Sequence, residues 1–131
     1  MVSFIRGHLG PFAPEVKPDA DEIAWRVILP AIGGNNRLDL EKTFGRIDYC
    51  CAYLRTIVYS PTEQTAHIEL AVDDYIRAWL NGKPASGEIT LRQGTNVLML
   101  KVGDHGGGWN FMCRLTQPNG EPLEGLKFQL P

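Results

Sequence analysis

Three histidines, fifteen acidic residues and three cysteines are the groups from which a reaction or metal centre would have to be built. His8 stands near the start, His67 in an alternating segment and His105 beside a glycine run, so no shared metal-ligand spacing emerges. Cys50 and Cys51 are adjacent and Cys113 is distant; no pair has the Cys-x-x-Cys spacing of a zinc ribbon or redox dithiol. The cysteines read as buried free thiols that pack as small hydrophobes. No serine sits in a nucleophile elbow. Gly106-Gly107-Gly108 lies between two strand-like segments, so no helix N-terminus is at hand to hold a phosphate. Carboxylates cluster at Asp19, Asp21 and Glu22 and again at Asp73-Asp74, and the second pair reads as a turn former. These residues do not add up to a catalytic constellation, so the chain reads as a non-catalytic domain.

Binding asks for less. Sugars are held by an aromatic face against the C–H-rich face of a pyranose, with a few polar groups meeting the hydroxyls. Tyr75, Arg77 and Trp79 alternate with apolar residues and so share one face of a strand. Asp104, His105 and Asn110 add polar groups on or next to the glycine loop. These six are the candidate ligand-binding residues. Trp25, within Ile23-Ala24-Trp25-Arg26-Val27, is a further aromatic candidate.

The elements that must position them are strands. Ala66, Ile68, Leu70 and Val72 alternate against Thr65, His67, Glu69 and Ala71, the pattern of a half-buried antiparallel strand. Tyr75 to Leu80 is the next strand and runs into Asn81-Gly82, a two-residue hairpin signal because both residues tolerate positive φ. Cys51 to Tyr59 reads as a long strand ended by Ser60-Pro61. Ile89 and Leu91 lie on a short strand, and Val97 to Val102 reads as a central strand covered on both faces. Trp109, Phe111, Cys113 and Leu115 alternate against Asn110, Met112 and Arg114, with the large residues expected in the core. Leu38 to Phe44 is the best helical stretch, too short to carry a full apolar stripe. Pro11, Pro14 and Pro18 make Gly10 to Asp21 extended or looped. Residues 1–131 therefore form a single all-β domain, an antiparallel sandwich or barrel, with 1–22 a looser N-terminal segment.

Composition agrees. At 131 residues, 44% hydrophobic and 21% charged, the chain is long enough for one packed core. Fourteen glycines and nine prolines call for many turns. Lys plus Arg number 13 against 15 Asp plus Glu, a net charge of -2 that lacks the basic footprint of a nucleic-acid binder. No stretch is apolar for the length of a membrane span, and Met1 to His8 lacks the charged start and apolar run of a signal peptide.

From Ala52 to Gly125 the chain resembles the galactose-binding-domain-like jelly-roll modules appended to glycoside hydrolases and other large secreted bacterial enzymes. The likeness rests on Ala52-Tyr53 leading to Ser60-Pro61, on Asp73 to Lys83, on Leu91 to Val102, and on Gly108 to Leu115 followed by Asn119-Gly120. Gly10-Pro11-Phe12 resembles the opening of such modules. Two departures are a short Lys83 to Glu88 connection and Gln117-Pro118-Asn119-Gly120, where an acidic residue is more usual. The resemblance implies an antiparallel β-sandwich of jelly-roll type and an extracytoplasmic setting. It implies no cofactor beyond a structural calcium ion, for which Asp73, Asp74 or Asp104 would supply oxygens. Its functional implication is a carbohydrate-binding accessory module with a poly- or oligosaccharide partner. The alternative is a structural or protein-interaction domain that packs on a catalytic domain of a parent chain and binds no sugar. Exposed Trp79 and Tyr75 rings favour the first, and buried rings the second.

Overall fold

A computed structural model describes residues 2–6, 10–21, 23–27, 31–32 and 37–131. Within them the chain is an antiparallel β-sandwich. One sheet runs β1 (Val2–Arg6), β4 (Cys50–Ser60), β9 (Gly94–Asp104), β6 (Tyr75–Leu80) and β7 (Lys83–Pro84), with β11 (Lys127–Gln129) also pairing β4. The other runs β2 (Ala31–Ile32), β3 (Leu38–Asp39), β10 (Asn110–Thr116), β5 (Gln64–Asp73) and β8 (Gly87–Leu91). Among the described strands only β2–β3 and β6–β7 follow one another within a sheet; every other pair of successive described strands lies in opposite sheets. Asp73-Asp74 is such a crossing, carrying the chain from β5 to β6, and not a hairpin between paired strands.

Alternation decides what fills the space between the sheets. Cys50, Ala52 and Val58 of β4, Leu98, Leu100 and Val102 of β9, and Ala78 and Leu80 of β6 meet Ala66, Ile68, Ile89, Leu91 and Phe111 from the facing sheet. Trp109 is 1% exposed and Phe111 3%, so both are core residues. The Trp109 indole donates Nε1–H to the Val102 carbonyl at 3.2 Å, which meets its one polar requirement.

Two segments differ from the expectation drawn from proline and helix signals. Gly10 to Asp21 holds a one-turn helix, α1 (Ala13–Val16), because Pro14 falls in its first turn, where no amide hydrogen is needed. The Leu38 to Phe44 stretch divides into β3 and the single turn α2 (Leu40–Phe44), capped by the Asp39 carboxylate on the Lys42 amide at 2.9 Å.

Asn81 and Gly82 join β6 to β7 with φ of 51° and 78°, both in the left-handed region. Gly82→Val should cost about 1 kcal/mol more than Gly82→Asn, since a β-branched side chain resists that region and asparagine visits it. Urea denaturation of the two variants checks this; equal midpoints would show that the turn imposes no such demand.

Candidate functional site

The outer face of the β4–β9–β6 sheet is not bare. Residues 10–21 and 23–27 form a strap over it. Phe12 and Trp25 of the strap, with Trp79 of β6, pack on Cys51, Tyr53 and Met99, a second apolar cluster outside the sandwich core. At its centre Lys101, fully buried, pairs with Glu15 of α1. Tyr53 donates its hydroxyl to the same Glu15 oxygen at 2.6 Å. The rings of Phe12 and Tyr53 lie 5.2 and 5.5 Å from the Lys101 ammonium. Gly10 closes over that ammonium at a φ of 72°, where a Cβ would come within 2.7 Å of Nζ. Burial pushes the Glu15 carboxyl up. The Lys101 and Tyr53 hydrogen bonds and the Lys101 charge outweigh this and hold it below the ordinary glutamate value. Burial and the Glu15 hydrogen bond push the Tyr53 phenol up, so it stays a donor.

Further along the strap, Arg55 reaches Asp19 at 3.0 Å, and its guanidinium lies 4.1 Å over the Trp25 ring. Trp25 donates Nε1–H to the Pro18 carbonyl at 3.2 Å. Trp79, Met99 and Arg55 stand in register across three neighbouring strands. Beyond them the strap leaves a groove of about 530 Å³. Its floor is Trp79, Met99 and Val97, one wall is Glu15, Val16, Pro18 and Asp19, and its far end is Asn81 and Arg92.

That far end is fastened by one buried amide. Asn96 is wholly buried; its Oδ1 accepts from Asn81 Nδ2 and from the Arg92 amide, both at 3.0 Å. Its Nδ2 donates to the carbonyls of Val58, Arg92 and Gly94. The turn after β6 and the turn before β9 are thereby held together.

The six candidates fall in two places. Trp79 is half-buried on the groove floor. Tyr75 is also half-buried and lies opposite Gly103, with the exposed Arg77 guanidinium 5.6 Å above its ring. Asp104, His105 and Asn110 lie at the end of the sandwich where the 73–74 crossing meets the glycine loop. Asp104 is 1% exposed and accepts from the Gly106 amide at 3.1 Å. His105 is exposed, with its ring 5.1 Å from that of Tyr49, and its amide donates to Asp74 at 2.9 Å. Asn110 accepts from Arg37 at 3.0 Å. His8 and Glu22 lie outside the described residues.

Asp73, Asp74 and Asp104, the carboxylates that would supply oxygens to a calcium ion, meet at this end of the sandwich. Asp73 and Asp74 share a hydrogen bond that raises the first and lowers the second. Asp74 also accepts from the His105 and Gly106 amides and is hydrogen-bonded to the Asp104 side chain; among the described residues no three His, Cys, Asp or Glu are grouped to hold a metal ion. Among the described residues no helix is long and apolar enough to cross a membrane.

Burial, and then the nearby Asp48 and Asp74 charges, push the Asp104 carboxyl up to about 6, against the opposing Gly106 hydrogen bond. The folded chain then binds a proton that the unfolded chain releases across the window from the ordinary aspartate range to about 6. Stability should fall as pH rises through that window. Asp104→Asn should remove the fall and stabilise the protein by about 2 kcal/mol at neutral pH. Thermal denaturation of both proteins from about pH 4 to about pH 7 checks it; parallel curves would refute it.

Sequence reasoning missed Arg92, Asn81 as a groove residue, the Asn96 amide and the Lys101–Glu15–Tyr53 cluster. The one signal for the last was a lysine inside the apolar run Val97 to Val102. No protein-family model, curated protein or solved structure gives a significant match to the chain.

Proposed function

We propose that this sandwich is a non-catalytic carbohydrate-binding module of galactose-binding-like, jelly-roll type. In this reading the groove between strap and sheet receives a poly- or oligosaccharide. The supporting observation is Trp79, set in the groove floor with Arg92 and Asn81 at its end. An indole gives a ring face for the C–H side of a sugar, and the polar end gives hydrogen bonds to its substituents. A shallow, open site gains only a few kcal/mol after the ligand's lost freedom is counted, so dissociation constants of about 1 μM to 1 mM are expected. Affinity electrophoresis through plant and microbial polysaccharides tests this. The wild type should be retarded, and Trp79→Ala, confirmed as folded by its denaturation midpoint, should run free. Free migration of the wild type on every polysaccharide would overturn the reading.

A second reading rests on the same residue. Trp79 is half-buried and packs, like Phe12 and Trp25, against the cluster of Cys51, Tyr53 and Met99, as it would if the outer face served to anchor the strap. The domain would then be a scaffold that packs on a catalytic neighbour. It predicts that Trp79→Ala loses stability and that no sugar is retained.

A further inference from the structure

The charges lining the groove do not cancel locally. Glu15 is engaged by Lys101 and Asp19 by Arg55. Arg92 also lines the groove, and among the described residues no carboxylate pairs with it. It is nonetheless held in place. Its Nε–H donates to the Thr95 carbonyl at 2.8 Å, its amide donates to Asn96 Oδ1, and its carbonyl accepts from Asn96 Nδ2 at 2.9 Å. Anchoring at Nε and at the backbone leaves the two terminal amino groups of the guanidinium for a ligand. Fixed in this way, they form a planar fork matched to a carboxylate, and less side-chain freedom is lost on binding than for an unanchored arginine.

The geometry points to a carboxylate-bearing sugar as the ligand of this groove: a polysaccharide containing uronic acid residues, with its ring on Trp79 and its carboxylate on Arg92. The inference rests on the carbohydrate-binding reading and adds the substrate class. A neutral sugar would leave the anchored guanidinium facing hydroxyls alone, which are weaker acceptors than a carboxylate. Trp79 and Arg92 reach the groove from the end of β6 and from the turn before β9. The Asn81–Asn96 hydrogen bond joins those two places, so the indole and the guanidinium sit on one rigid corner.

The test uses the whole protein in affinity electrophoresis against polygalacturonate, against the same polymer after chemical reduction of its carboxyl groups, and against neutral galactan and xylan. Wild type should be retained by polygalacturonate about tenfold more strongly than by the reduced polymer, and added salt should weaken that retention. Arg92→Gln should lose about tenfold on polygalacturonate and distinctly less on the neutral polymers, where only a hydrogen bond to a hydroxyl is lost, while Arg92→Lys keeps part of the affinity. Arg92 is exposed, so both variants should unfold at the wild-type midpoint. Equal retention on native and reduced polymer, or an Arg92→Gln variant that binds polygalacturonate as well as wild type, would overturn the acidic-ligand inference and leave the sugar-binding reading standing. No retention on any polymer would overturn both.

Discussion

Lys101→Met should destabilise the protein by about 3–5 kcal/mol, read as a fall in the urea midpoint. The methionine would fill most of the lysine's volume, so the loss is electrostatic. Lys101 has no exposed surface, and Glu15 opposite it has a side chain only 10% exposed. Without the ammonium, a carboxylate sits between the strap and an apolar sheet face with the Tyr53 hydroxyl and the Phe12 amide left to meet it and no opposite charge. The double variant Lys101→Met with Glu15→Leu should recover most of the loss, because a matched apolar pair costs little where an orphaned charge costs much. If the double variant is as unstable as the single one, packing is the cause. The same pair has a pH signature. The Glu15 carboxyl is lowered in the folded chain, so its contribution is complete above the ordinary glutamate value and is lost as pH falls through the lower folded value. Glu15→Gln should flatten the acid limb of the stability curve.

Asn96→Ala should cost about 3–4 kcal/mol. One buried amide makes five hydrogen bonds, and its removal leaves the Val58 carbonyl and the Arg92 amide without those partners next to the sheet. Asn96→Asp is the control. Its carboxylate still accepts from Asn81 and Arg92 but has no donor for the three carbonyls, so it should be nearly as unstable at neutral pH. Denaturation of both variants checks this, and a loss below about 1 kcal/mol for alanine would show that water replaces the amide. Sugar retention should fall with Asn96→Ala even where the fold survives, since the turn carrying Arg92 loses its fastening.

Period-two alternation made the strands legible. Ala66 to Val72 and Tyr75 to Leu80 read correctly because one face of each is apolar and the other is not. The same rule placed Trp109 and Phe111 inside. It could not say what lies over the second face. Tyr75, Arg77 and Trp79 do point away from the core, but the covering strap is distant in sequence, and nothing in Phe12, Glu15 or Trp25 marks them as partners of Tyr53, Lys101 and Met99. Such pairings depend on the register of β4 against β9, which is a tertiary fact. Asn96 was legible as a turn residue, yet its side-chain contacts span Val58 to Gly94 and exist only once two turns meet. Arg92 gave no periodic signal because it lies just beyond a strand.

The two sides of β4 are guarded very unequally. β9 pairs with it along its full length, whereas on the other side β1 covers Cys50 to Leu54 and β11 covers only Ile57 to Tyr59. All three β11 residues are exposed, and Phe128 keeps 60% of its surface in water, so little apolar burial holds this short strand in place. When it frays or is trimmed by a protease, the amides and carbonyls of Ile57 to Tyr59 become an open template for another chain's strand. The shelf life of the protein in concentrated solution would then be set by the hold of this three-residue strand on β4, through self-association, and not by the strength of its core.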